Sequence, residues 1–181
     1  MAPHWSRLCG LAAMAGGAVF AVTGILMALR PPGVEGGVPR DTAMLDEIMC
    51  VSLLLMVAGL VRARARDRAA FGKLGKTGAI IAGAGAGVAA LSAVAVVVGL
   101  QALWVIGAVG LMLMPIGSLL VGLAALRESL LTPVANVLLV VGSLGFMLAF
   151  NTESVLAVMA APFGAAYVWL GYVLWSVPAG T

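Results

Sequence analysis

Between two long apolar runs, the segment Arg62–Lys76 carries Arg62, Arg64, Arg66, Arg68, Lys73 and Lys76, six of the ten basic residues of the chain. A segment of this kind does not enter hydrocarbon, because a charged side chain at the centre of a bilayer costs at least about 2.5 kcal/mol. The flanks are the opposite. Of 181 residues, 63% are hydrophobic and only 9% charged, whereas a soluble domain carries about 25% charge. So few charges leave no means of covering a water-facing surface. The expected solvent is a lipid bilayer, crossed by helices that satisfy their own backbone groups.

A hydrocarbon core of about 30 Å takes roughly 20 apolar residues per helix. The sequence predicts an all-α integral membrane bundle of six transmembrane helices, at 8–29, 42–61, 77–100, 103–126, 133–150 and 155–177, in a single domain over 1–181. Pro31, Pro32, Gly33, Gly36, Gly37 and Pro39 break the first joint, since proline cannot continue a helix. Gln101 and Ala102 are read as a tight turn, and Arg127–Thr132 as a short polar joint. Thr132 is placed to cap a helix that has Pro133 in its first turn. The second run is the awkward one. Ile48–Val61 reaches only about 21 Å at 1.5 Å per residue, so the helix must begin near Thr42 and carry Asp46 and Glu47 inside its outer end. The first run exceeds the core of a signal peptide, about 7–15 residues. It is read as an uncleaved helix, with cleavage as the alternative. No internal repeat is expected: the first two joints are long and the last two short, and Pro115 and Pro162 do not correspond under a three-plus-three division.

Orientation follows from the basic residues. With the N-terminus inside, Arg7, the six residues of the basic loop and Arg127 face the cytoplasm, and Arg30 and Arg40 face outward, a ratio of eight to two. The positive-inside rule selects that arrangement, with both termini cytoplasmic. The expected location is the bacterial plasma membrane. The basic loop is read chiefly as a topology determinant in contact with anionic lipids, and not as a nucleic-acid surface.

Several local patterns invite chemistry. Asp46 and Glu47 are ionisable groups near the outer end of a membrane helix, the default candidates for ion or proton access. The plainer reading is that they favour a helix N-terminus and reach water, with Arg30 or Arg40 as partners. Gly75, Ala79, Gly83 and Gly87 are spaced by four and form a candidate helix-packing face, where small side chains let backbones approach. Gly83–Gly87 alternates glycine and alanine, but no strand precedes it, so it is not a nucleotide loop. Gly75-Lys76-Thr77 likewise lacks the earlier glycine of a P-loop, that position being Ala70. Cys9 and Cys50 fall near opposite faces of the membrane and are read as small apolar residues. One histidine and two cysteines supply no zinc or bis-histidine haem site, so no metal, cofactor or catalytic residue is expected.

Three stretches carry a family resemblance. They are Leu74-Gly75-Lys76-Thr77-Gly78, then Leu123, Leu126, Arg127 and Pro133, and the closing Leu170-Gly171-Tyr172-Val173-Leu174-Trp175-Ser176. Over roughly residues 70–177 the chain resembles a family of small, uncharacterised bacterial six-helix inner-membrane proteins. The resemblance implies a multi-helix inner-membrane protein and transfers no catalytic residue.

The expected function is that of a multi-pass, non-enzymatic membrane protein with a structural, assembly or partner-binding role, packing on itself or on another membrane protein. The alternative is a small transporter or channel with an acidic outer mouth at Asp46 and Glu47. The polar residues Thr23, Ser92, Ser118, Asn136 and Ser143 are too scattered to mark a path.

Overall fold

A computed structural model describes residues 3–29, 40–66, 72–128, 132–148 and 153–176. Among the described residues it contains six α-helices and no strand. They are α1 (Pro3–Ala28), α2 (Arg40–Arg66), α3 (Gly72–Val97), α4 (Trp104–Glu128), α5 (Pro133–Leu148) and α6 (Glu153–Ser176). Among the described residues, four stretches are long and apolar enough to cross a membrane: Arg7–Ala28, Gly72–Val97, Gln101–Glu128 and Val158–Ser176. Helix α5 is apolar but has only 16 residues, about 24 Å of rise. Helix α2 has 27 residues, with charge at both ends of its apolar middle.

The helices reach further into the polar joints than the sequence predicts. Arg62, Arg64 and Arg66 belong to α2, and Lys73 and Lys76 to α3, so the basic segment is mostly helical. Only 67–71, with Arg68, lies outside the described residues. Arginine, alanine and lysine are good helix formers, and the edge of an apolar run does not by itself stop a helix. For the same reason Arg127 and Glu128 extend α4. The α3–α4 turn is set by Gly99 (φ +97°) rather than by Gln101 and Ala102. The Gly99 N–H donates to the Val96 carbonyl at 3.0 Å and the Leu100 N–H to the Ala95 carbonyl at 2.9 Å. That is a Schellman ending, which needs the left-handed conformation at its glycine. A 3-10 turn, Gln101–Leu103, then leads into α4, and Ser92 Oγ fastens it by donating to the Leu103 carbonyl at 2.6 Å. At α5 the sequence reading holds. Thr132 Oγ1 accepts from the Ala135 N–H at 3.4 Å and so caps the helix that opens with Pro133.

Each helix packs on the next in sequence, and α6 returns to α1, so the six form a closed ring. Two contacts are far closer than the rest, α1 on α6 and α3 on α4. Glycine explains both. A Cβ on Gly10 would stand 2.8 Å from the Gly171 carbonyl oxygen, and one on Gly17 2.5 Å from that of Gly164. In the second pair a Cβ on Gly78 would meet the Gly117 oxygen at 2.7 Å, and one on Gly85 the Met114 nitrogen at 2.6 Å. The backbones themselves are in contact. In every one of these helices the two glycines are seven apart, the period that keeps one seam facing a partner in a left-handed crossing.

The expected face Gly75, Ala79, Gly83 and Gly87 is therefore only half used. Gly75 and Ala79 are buried. A Cβ on Gly83 would meet only Val57, at an ordinary 3.6 Å, and one on Gly87 would meet nothing within 4 Å. The contact with α4 runs instead along Gly78, Ala82, Gly85 and Ala89, where Gly110 and Gly117 approach. Spacing by four drifts around a helix faster than spacing by seven does, so the seven-residue seam stays on one neighbour.

The ring also has an approximate two-fold pattern. The first helix of α1–α3 packs on the last of α4–α6, the first of α4–α6 packs on the last of α1–α3, and α2 and α5 bridge the two tight pairs.

These distances predict a contrast. Gly117→Leu drives a side chain into the Ala82 backbone, whose Cα would stand 2.7 Å from the new Cβ, and should cost about 3 kcal/mol. Gly87→Leu should leave the stability of the dissociated monomer within about 0.5 kcal/mol. Unfolding in detergent, followed by circular dichroism, measures both.

Candidate functional site

The centre of the ring is filled from its side chains. Phe20 of α1, Phe146 of α5 and Phe163 of α6 pack with ring centroids 5.3–5.7 Å apart. Phe163 meets Tyr167 edge-on at 5.4 Å. All four are fully buried, as are Leu53, Met56, Leu60, Met114, Leu139 and Leu170. On α6 the positions 163, 167, 170 and 174 make one buried stripe, while Trp169, Tyr172 and Trp175 face outward.

Tyr167 brings polarity to this centre. No Cα of α4 comes within 8 Å of α6, yet the Tyr167 hydroxyl crosses the middle to Ser118 Oγ at 2.5 Å. Proton accounting fixes the direction. Ser118 has one proton, and it goes to the Met114 carbonyl at 2.8 Å, so the phenol donates and Ser118 accepts. Met114 Sδ, 3.9 Å from the phenol oxygen, is a weak second acceptor. Proline at 115 lacks the N–H that would bond the Leu111 carbonyl, so α4 is already irregular where this bond is made.

Helix α5 packs less closely on α4 and α6, and polar groups tie it at one end. Asn136 Nδ2 donates to the Ala125 carbonyl of α4 at 3.3 Å. The Trp169 indole N–H of α6 donates to Thr132 Oγ1 at 2.9 Å. Ser143, two turns along the same face as Asn136, is fully buried, and its hydroxyl has no hydrogen-bond partner among the described residues.

The acidic pair lies elsewhere. Asp46 is within α2, but its side chain is outside those described. Glu47 is half-buried and lines a groove of about 370 Å³ between α1 and α2, with Val19, Ile48, Val51, Ser52 and Leu55. Thus Glu47 is separated from the central Ser118–Tyr167 pair, and the groove joins it to apolar surface. Among the basic residues, Lys73 and Lys76 are exposed, and Arg62 is half-buried with its Nε lacking a hydrogen-bond partner. Arg64 and Arg66 are helical, with side chains outside those described. Cys9 is half-buried and Cys50 buried, and they are not bridged. Among the described residues no three His, Cys, Asp or Glu side chains gather as for a metal.

Sequence reasoning did not connect Tyr167 to Ser118. The usable signal was the apolar stripe at 163, 167, 170 and 174, which turns the phenol inward. Nothing in spacing along the chain reveals that its hydroxyl meets a residue 49 positions away. No family model, curated protein or solved structure matches the chain. The site is therefore read from its own chemistry, which is that of a filled core with one polar crossing.

The crossing predicts an asymmetry. Tyr167→Phe leaves Ser118 bonded to the Met114 carbonyl and should cost about 0.6 kcal/mol, the mean for hydrogen bonds between membrane helices. Ser118→Ala leaves a buried phenol with only a distant sulfur and should cost about 1–3 kcal/mol. Comparing the two unfolding midpoints in one detergent tests the assignment of donor and acceptor.

Proposed function

We propose that this chain is a multi-pass integral membrane protein of six spans, non-enzymatic, with a structural, assembly or partner-binding role. One observation carries the reading. The middle of the ring is occupied by Phe20, Phe146, Phe163, Tyr167, Met56 and Met114, so a conduit would need this packed centre to rearrange. The rival reading, a small transporter or channel with an acidic mouth at Asp46 and Glu47, needs a polar path leading inward. What adjoins Glu47 is Ile48, Val51 and Leu55.

The location we propose is the inner membrane of a bacterium, with both termini in the cytoplasm. Successive helices alternate in direction, which gathers Arg7, Arg62, Arg64, Arg66, Lys73, Lys76 and Arg127 at one end of the bundle. The positive-inside rule then favours that end as cytoplasmic, and anionic headgroups are its natural lipid contact. For partner binding, the open Gly83–Gly87 side of α3 suits a second helix, since a Cβ on Gly87 meets nothing within 4 Å among the described residues and small residues favour close approach in lipid.

Two measurements test the proposal. Protein purified in mild detergent should elute as a dimer or with a membrane-protein partner, and Gly87→Leu should abolish that association. Ion gradients across liposomes containing the protein should drive no flux. A cation or proton flux lost in Glu47→Gln would overturn the reading in favour of transport. For orientation, Lys73→Cys should label only from the cytoplasmic side and Gly37→Cys only from outside, in a background lacking Cys9 and Cys50.

A further inference from the structure

The groove between α1 and α2 is open sideways, toward the lipid. Val19, Val51 and Leu55, three of its six lining residues, are 39–50% exposed on the outside of the bundle. Its volume of about 370 Å³ falls within the range of ligand sites, about 300–1,000 Å³. It is long enough for part of a chain, since Glu47 to Leu55 spans about 12 Å of helix. Its floor is firm. Gly16 of α1 is pressed so closely on α2 that a Cβ there would stand 2.7 Å from both the Leu55 Cβ and the Ser52 carbonyl oxygen. Ser52 Oγ is already committed to the Met49 carbonyl at 2.6 Å, so the walls offer no free polar group of their own.

Glu47 closes the groove at the end nearest the start of α2. It is half-buried, and among the described residues it has neither an ion pair nor a hydrogen bond. Its depth makes that condition costly. From Glu47 to Arg62 is about 22 Å of helix, while the hydrocarbon core is about 30 Å thick. An upright α2 therefore cannot hold both Glu47 and Arg62 outside an unthinned core, and with Arg62 at one boundary the Glu47 carboxylate would fall inside the other. A carboxylate at that depth needs a cation beside it.

We propose that this groove binds a phospholipid with a primary-ammonium headgroup, such as phosphatidylethanolamine, from the leaflet at that end of the bundle. An acyl chain lies along Val51 and Leu55, and the ammonium donates to the Glu47 carboxylate. The match is one of charge and of donors. A primary ammonium supplies both, a quaternary choline supplies charge without N–H groups, and a glycerol headgroup supplies no cation. The proposal requires the bundle to be in lipid, and it is independent of which end faces the cytoplasm.

Native mass spectrometry of the protein released from mixed micelles tests it, with equal amounts of phosphatidylethanolamine, phosphatidylcholine and phosphatidylglycerol of the same chains. The unmodified protein should retain the ethanolamine lipid in about tenfold preference over the choline lipid, the factor expected of one charge-assisted hydrogen bond. Glu47→Gln should remove the preference. Val51→Trp, which fills the groove from its exposed side, should lower retention of that lipid without altering the thermal midpoint. Adducts in the proportions of the mixture would overturn the proposal, as would a preference that survives Glu47→Gln. Loss of preference in Glu47→Gln with full retention in Val51→Trp would overturn the seating of the chain in the groove. Adducts of all three lipids without preference would still mark a lipid-bathed bundle, so failure here is distinguishable from failure of the membrane assignment.

Discussion

Two helices bathed in lipid gain little hydrophobic stabilisation by touching, because lipid tails are as apolar as leucine. What remains is contact between closely packed atoms, and that depends on how near two backbones come. The bundle meets this constraint at four pairs of glycines, seven apart in α1, α3, α4 and α6. Where glycine faces glycine, main-chain atoms touch over two turns and each contact adds its small dispersion term. The α1–α6 seam has a further consequence. It joins the first helix to the last, so a ring of neighbours in sequence becomes a closed ring, and the centre is sealed by the same contact that holds the ends together.

Sealing the centre decides what can occupy it. The two tight seams leave α2 and α5 as looser bridges, and large side chains fill the space between. Three phenylalanines from α1, α5 and α6 share one cluster, and Tyr167 carries the chain of contacts on to α4. A phenol has to find a partner in such surroundings. Its partner is Ser118, one residue from the seam glycine Gly117 and held by the carbonyl of Met114. The polar crossing therefore depends on the packing of the α3–α4 seam, because the same stretch of α4 supplies both.

Much of this architecture was legible in the sequence, for reasons that can be stated. Low charge and long apolar runs announced an all-helical chain, and Thr132 with Pro133 announced where α5 begins, because a cap and a first-turn proline act locally. Helix ends near arginine and lysine were misjudged, because hydropathy reports the edge of the lipid and not the end of hydrogen bonding. The glycine seams were visible but read with the wrong period. Gly83 and Gly87 stand out by their neighbours' composition, whereas Gly78 and Gly85 stand out only against Gly110 and Gly117 on another helix. Tyr167 and Ser118 were illegible as a pair, since their meeting depends on a ring that only the tertiary structure closes. The approximate two-fold pattern was missed because the prolines, which do not obey it, drew attention away from the glycines, which nearly do.

That two-fold pattern bears on the membrane itself. The helices of the two seams have 24–26 residues each, about 36–39 Å of rise and enough to cross with some tilt. The two bridging helices are different. Helix α5 has 16 residues, and α2 has only about 22 Å between Glu47 and Arg62. These two occupy equivalent places, each between one member of either seam. A short apolar span is accommodated by thinning the bilayer, by flanking side chains reaching for the interface, or by association. If all six helices cross, as proposed, long pairs alternate around the ring with bridges whose uncharged stretches are shorter, and lipid beside a bridge would meet a narrower apolar band than lipid beside a seam. On the α2 side, the headgroup of the proposed lipid would then have less apolar band to cross in reaching Glu47.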